Sequence, residues 1–350
     1  MGGIPLFLSY IIPVFNCLSF LRDCIDSITS QNLDSYEIIM VDDGSTDGSG
    51  EFCDSVQEAN KHVRVIHKQN GGAASARNVG IKAARGRFLF FIDGDDTIAP
   101  DCMEQLMPLL KSENCLPVFG MAFDYWSSGV LQRSDYRSVA FEGQYEIKKL
   151  AEKLPAFFDD NVLSSACNKV FASSVIREHH LCFPEGVTLY EDLSFVLSYL
   201  MHVGSVFCLP RPLYHYRNEI NDDHFPTRVA ELDKLRQNLA GLNRVLLDFG
   251  TCTDAPQPAA SVAAELYLQL LSRHLLLVRH SVEYCEEFLP EYCSEPAFRA
   301  LLKKKPALSE NSAALLDNIE QKRFHKLHRQ YCIKRAKRSV RRIIKKVLKR

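Results

Sequence analysis

A chain of 350 residues, 46% hydrophobic and 24% charged, can bury a sizeable core in about two domains and is no disordered or fibrous polymer. The net charge of −1 hides an asymmetry: 28 of the 42 Lys and Arg lie before Lys322 against all 43 acids, a net of −15, while the fourteen from Lys322 onward give +14. This excludes a uniformly basic nucleic-acid binder and indicates an acidic body with a basic attachment segment. Twelve cysteines contain no CxxC pair and no zinc-like Cys/His spacing, as expected of reduced thiols in a cytoplasmic protein. No stretch reaches 18 uncharged apolar residues, so no membrane crossing is expected.

In chain order, "SYIIPVFN" reads as a strand and "LSFLRDCIDSITSQ" as an amphipathic helix. "YEIIMVDD" is a second strand, followed by the loop "GSTDGSG" and a helix from about Glu51. "VRVIHK" is a third strand. "GGAASARNVGIKAARG" opens on glycines, becomes an Ala-rich helix and stops at Gly86, and "RFLFFID" is a fourth strand. Alternating strands and helices predict a mainly parallel sheet, with ligands beyond the carboxyl ends of its strands. Asn16, the pair Asp42 and Asp43, and Asp93 to Asp96 all follow strand ends and should converge on one cleft.

Residues 100–220 are mixed, and the pattern from about Thr227 to Tyr331 is helical. The expected domains are 1–220, a helical region 221–331 and a basic tail 332–350. That tail sets Ile333, Ala336, Val340, Ile343, Ile344, Val347 and Leu348 on one helical face, with ten cations on the rest.

The segment "FLFFIDGDD" runs a buried strand into three carboxylates within four positions. At ~4 Å and an effective dielectric near 20, each like-charged pair costs about 4 kcal/mol. A divalent cation such as Mg²⁺ or Mn²⁺, shared with substrate phosphates, turns that repulsion into binding. The alternative is a solvated acidic turn with Asp96 capping the helix after Pro100. "VDDGSTDGS" offers acceptors for a nucleoside, or equally an N-capping turn. Arg77, on a helix opened by the Gly pair, suits an anion in the same cleft, although an Arg on an Ala-rich helix is ordinarily a surface residue.

The order of "IIPVFN", "IIMVDDGSTDGS", "NGGAASARNVGIKAARG", "FFIDGDD", "NKVF", "FPEGVTLYEDLSF" and "YHYR" resembles the family 2 glycosyltransferases, over about residues 7–217. The resemblance implies a GT-A fold, Rossmann-like with a mainly parallel sheet, and an inverting, hexosyltransferase-type enzyme. It implies a nucleotide-sugar donor, a UDP-sugar first, and a glycan or lipid-linked acceptor in cell-surface polysaccharide assembly. Pro13 and Phe15 would line the nucleobase pocket, where Phe15 replaces the more usual Tyr. Asp43 would bond a uracil-like edge, Arg77 would lie near base and phosphates, and Asp93 would touch ribose or metal. Asp95 would hold Mn²⁺ or Mg²⁺ against the diphosphate. Gly94 stands where a small polar residue is common.

The same resemblance makes Asp192 the general base, with Glu191 orienting the base or the acceptor. Read alone, these acids are ordinary charge at the start of the helix "EDLSFVLSYL". His215 and Arg217 are candidates to close over the diphosphate, His215 as a metal ligand, while a buried aromatic strand explains Tyr214 and Tyr216 equally well. The tail suits an anionic membrane surface, each cation near such a leaflet contributing about 1 kcal/mol. Its alternatives are nucleic acid, for which nothing else in the chain is fitted, or packing on the acidic body. A sugar-nucleotide pyrophosphorylase would open with a Gly-rich loop bearing Arg and Lys, absent from "IIPVFNCLSF". A processive synthase would need spanning helices and a QxxRW-like segment. A non-catalytic carbohydrate-binding protein is the remaining alternative.

Overall fold

The computed structural model describes residues 6–138, 142–154, 162–187, 190–219, 232–277, 282–294, 296–304 and 306–334. The expected amphipathic tail helix, apart from 332–334, lies outside the described residues. The chain divides into two compact units: Met1–Asp223 with Cys252–Asp254, and the remainder from His224.

The first unit begins with the alternation expected from its apolar runs: β1 (Leu8–Val14), α1 (Leu18–Thr29), β2 (Tyr36–Asp42), α2 (Ser49–Ala59), β3 (Val63–His67), α3 (Ala73–Ala83) and β4 (Phe88–Phe91). In α1 the buried residues are Leu21, Cys24, Ile25 and Ile28, the i, i+3, i+4, i+7 stripe of a helix with one face on a core. The first sheet has the order β3-β2-β1-β4-β9, with β9 at Val170–Ala172. β1 pairs in parallel with both β2 and β4, β2 in parallel with β3, and β9 runs antiparallel to β4. All four residues of β4 are buried, as in a central strand covered on both faces. The parallel register puts the carboxyl ends of β1, β2 and β4 on one edge of the sheet.

Close packing fixes α3 against that sheet. A Cβ added to Gly80 would come within 2.3 Å of Ile11 Cγ2 on β1, a distance no relaxed side chain tolerates.

Beyond β4 the chain forms β5 (Thr97–Ile98), α4 (Cys102–Leu106), β6 (Cys115–Ser127), β7 (Val130–Arg137), β8 (Gly143–Glu146) and α5 (Ile147–Glu152). After β9 come α6 (Ser173–Glu178), α7 (Glu191–Leu200) and β10 (Ser205–Glu219). A second sheet has the order β5-β10-β6-β7, with β8 also on β10. β6 and β10 pair in parallel, with register shifts around Pro212.

The second unit is helical. It contains α8 (Leu232–Cys252, whose last residue falls in the first unit), α9 (Pro256–Leu277), α10 (Val282–Ser294), α11 (Pro296–Leu302) and α12 (Glu310–Glu320). Residues 259–264 and 266–268 of α9 are buried on all its faces, and the small side chains of Ala259, Ala260, Ala263 and Ala264 let α11 and α12 pack close. Ser309 caps α12 by accepting the Ser312 N–H. Among the described residues no helix is long and apolar enough to cross a membrane.

Candidate active site

The polar clusters that follow the ends of β1, β2 and β4 converge on one edge of the first sheet, but their carboxylates are in unlike states. Gly94 turns the chain just past β4. A Cβ there would lie 2.9 Å from Cys17 Sγ and 3.2 Å from Leu21 Cδ2 and the Pro13 carbonyl oxygen, so the position admits almost nothing beyond hydrogen. Asp95 is exposed as a residue, while its carboxyl is closely enough surrounded by protein to be partly desolvated. It makes no ion pair among the described residues, and burial together with the neighbouring Asp93 charge pushes its carboxyl up to about 6.

Asp96 corrects the expectation of a solvated cap. It is 1% exposed and does not cap α4. Its oxygens accept the Tyr214 hydroxyl at 2.6 Å and the Arg217 backbone N–H at 2.8 Å. Burial, reinforced by the charges of Asp95 and Asp93, drives its pKa well above the ordinary carboxylate range. The Tyr214 hydroxyl also accepts the Asp93 N–H at 3.1 Å, so this pair ties the end of β4 to β10.

Arg77, 4% exposed, joins the two halves of the site. Its guanidinium donates to Asp93 Oδ1 at 2.6 Å and to Asp192 Oδ1 at 2.9 Å, linking carboxylates almost a hundred residues apart in the chain. It lies 5.3 Å above the Phe183 ring. Phe183 stacks on Phe195 at 4.0 Å, and both meet Phe91 of β4 edge-on. This aromatic cluster is what holds the start of α7 against the end of β4. Tyr190, immediately before α7, takes a left-handed φ of +67°, an uncommon conformation for a bulky residue and one found at sites where side chains must be aimed. The second oxygen of Asp192 accepts the Ala166 N–H at 3.0 Å. Glu191 sits beside it, its carboxyl raised first by burial and then by the Asp192 charge.

The other expected donor residues are placed as follows. Phe15 stands just past β1 with half its surface exposed, an aromatic face open to a planar ligand, and Pro13 beside it is half-buried. Asp43 accepts the N–H groups of Gly71 at 3.0 Å and Gly72 at 2.7 Å and a bond from Lys68, so its carboxylate shapes the Gly pair that opens α3. Asp42 accepts the Ser45 N–H, Asn16 the Thr46 N–H and Asp47 the Leu18 N–H, binding the loop after β2 to the end of β1. His215 Nδ1 lies 2.9 Å from Asp124 Oδ2. Arg217 is held between the rings of Phe20 (4.8 Å) and Trp126 (4.5 Å) and pairs with Asp23 at 3.1 Å. Tyr214 is buried and Tyr216 partly exposed, so the aromatic-strand reading holds for the first alone.

Among the described residues no three of His, Cys, Asp and Glu converge as a ready-made metal cage. The fit to a cation rests instead on Asp95, an oxygen donor that forms no ion pair among the described residues, beside Asp93. One or two carboxylates completed by water and substrate phosphates are what Mg²⁺ and Mn²⁺ ordinarily take from a protein. Sequence reasoning offered Asp96 only as cluster member or solvated cap, not as a buried anchor, and missed Lys169. The "NKVF" segment held the signal for the latter, a lysine next to apolar strand residues.

Residues 9–174 match the family model described as Glycosyl transferase family 2. The chain is similar to the putative glycosyltransferase EpsH of Bacillus subtilis, 34% identical over 211 residues, covering 60% of each chain. It is similar to the uncharacterized glycosyltransferase EpsJ of the same organism, 34% identical over 220 residues, covering 62% of each. The matched stretch thus spans about three fifths of these curated relatives. Its fold is similar to that of S. aureus TarS 1–349, crystallised with UDP-GlcNAc, with a TM-score of 0.59 at 18% identity over 93% of this chain and 90% of that one.

Proposed function

We propose, from the match of residues 9–174 to the Glycosyl transferase family 2 model, that this chain transfers a hexosyl group, with inversion, from a nucleotide-sugar to a hydroxyl of a glycan or lipid-linked acceptor in surface-polysaccharide assembly. The observation that carries this reading is the Arg77 bridge, which brings Asp93 at the end of β4 and Asp192 at the start of α7 to a single point. A donor seated on the first and an acceptor approaching the second would then meet. The open ring of Phe15 suits a stacked nucleobase, and the UDP-sugar class is taken from TarS, a related fold crystallised with UDP-GlcNAc.

In this account Asp192 takes the acceptor proton as the acceptor oxygen bonds to the anomeric carbon and the bond to the diphosphate oxygen breaks. Arg77 and the Ala166 N–H occupy one site on each Asp192 oxygen, leaving about two of the four lone-pair sites to receive the proton. Glu191, which forms no ion pair among the described residues, is suited to orient the acceptor. Asp95 and Asp93 would hold Mn²⁺ or Mg²⁺, with His215 the further candidate ligand. The ion would neutralise charge on the departing diphosphate. Arg217 would contribute from β10 once displaced from Asp23.

Incubation with UDP-, GDP- and dTDP-sugars plus Mn²⁺ tests the reading. One nucleotide class should raise the melting temperature and be slowly hydrolysed. Stabilisation without hydrolysis or transfer would favour a non-catalytic binding protein, and no response from any donor would refute both.

The tail beyond Tyr331 would attach the enzyme peripherally to the anionic cytoplasmic face of the plasma membrane, where lipid-linked acceptors lie. Flotation with anionic liposomes should fall when residues 332–350 are removed. Equal flotation would exclude this attachment.

A further inference from the structure

Lys169 is a fully buried ammonium, 0% exposed, for which the reaction outlined above has no use. All three of its donors are taken: by the Val162 carbonyl at 2.8 Å, the Ser165 carbonyl at 2.5 Å and Asn168 Oδ1 at 2.7 Å. Asn168 is buried beside it, donating its amide to the carbonyls of Phe119 (2.7 Å) and Val162 (3.0 Å). Together the two side chains gather residues 162–168 into a turn fastened to β6. That turn has one outlet toward the carboxylate cluster. The Ala166 N–H donates to Asp192 Oδ2 at 3.0 Å, and the Cys167 thiol reaches Asp93 Oδ2 at 3.6 Å.

An ammonium is an expensive way to close a turn. Burial outweighs the neighbouring Asp192 charge, which favours the ammonium, and pulls its pKa from 10.5 to about 7. The three oxygen acceptors favour the charged form as well. An apolar side chain of similar volume would avoid the desolvation cost, as it commonly does when a buried ion is replaced with good packing. What such a side chain could not do is gather two main-chain carbonyls around one centre and place a cation near the carboxylate of α7.

We infer that Lys169 is a positioning residue for Asp192: by drawing the Val162 and Ser165 carbonyls onto one ammonium, it aims the Ala166 N–H at the second oxygen of that carboxylate. The first oxygen is held by Arg77, so Arg77 directly and Lys169 through the Ala166 N–H fix the two oxygens of the carboxylate. The inference rests on the reading of Asp192 as the base.

Lys169→Met and Lys169→Gln test it alongside Asp192→Asn. For each variant the melting temperature, the donor dissociation constant by calorimetry and the pH profile of kcat are measured on the full chain. Lys169→Met is expected to lower kcat at least about tenfold, to leave donor affinity within about twofold, and to move the acid limb of the profile to higher pH. Lys169→Gln keeps two donors without the charge and should fall between Met and the unaltered protein. It also carries the test if the Met variant does not fold. Unchanged kcat in these variants would overturn the inference. So would a kcat loss matched by an equal loss of donor affinity, or one with an unmoved acid limb, either of which marks a merely structural lysine. If Asp192→Asn itself retains turnover, the base reading fails, and this inference with it.

Discussion

Arg77→Met is expected to destabilise the first unit by about 3 kcal/mol and to abolish transfer. Removing one partner of a buried ion pair ordinarily costs about 3–5 kcal/mol, because the other charge is left buried and unpaired. Here two carboxylates are abandoned, but both reach water at their edges, with 27% and 21% of their side chains exposed. The lower end of that range therefore applies. At roughly 2–4 °C per kcal/mol for a domain of this size, the melting temperature should fall by roughly 6–12 °C. Methionine fits the slot above Phe183, so packing loss adds little. Arg77→Lys keeps the charge but cannot fork to Asp93 and Asp192 at once, and should recover part of the stability with little of the activity. A Met variant as stable and active as the unaltered protein would show that the bridge carries neither fold nor function.

Asp192→Asn should leave donor affinity almost untouched and cost the fold less than Arg77→Met, since Arg77 keeps Asp93, while lowering kcat about 10²- to 10⁴-fold, the usual contribution of a positioned general base. The amide oxygen still accepts one hydrogen bond from Arg77 or Ala166, so geometry is largely kept, but the group no longer takes a proton. Single-turnover transfer with saturating donor isolates this step. Glu191→Gln serves as the comparison and should mainly raise the acceptor KM. Near-normal turnover in Asp192→Asn with loss in Glu191→Gln would exchange the two roles.

Much of the parallel sheet was legible because β1, β2 and β4 are short apolar runs that each end in polar residues. Period and composition suffice for such strands. The meeting of Asp93 with Asp192 was legible only through the order of motifs, since nothing local to "LYEDLSF" says which strand its helix faces. The second sheet escaped because β10 carries Pro210 and Pro212 and pairs with β6 some ninety residues earlier, a relation with no local trace. Asp96 read as surface because an isolated carboxylate is almost always solvated. The structure buries it because Tyr214 and the Arg217 N–H supply both its bonds. Lys169 was hidden for the same reason: its acceptors are carbonyls, which every sequence has and none announces.

The central claim is that the end of β4 takes a nucleoside diphosphate through a divalent cation at Asp95. Calorimetric titration of UDP into the protein, with Mn²⁺ and then with the metal chelated, tests it most directly when repeated on Asp95→Asn. The account predicts saturable binding that weakens at least about tenfold on chelation, and to the same degree in Asp95→Asn with metal present. Binding of equal strength in all three titrations, or none in any, would contradict it.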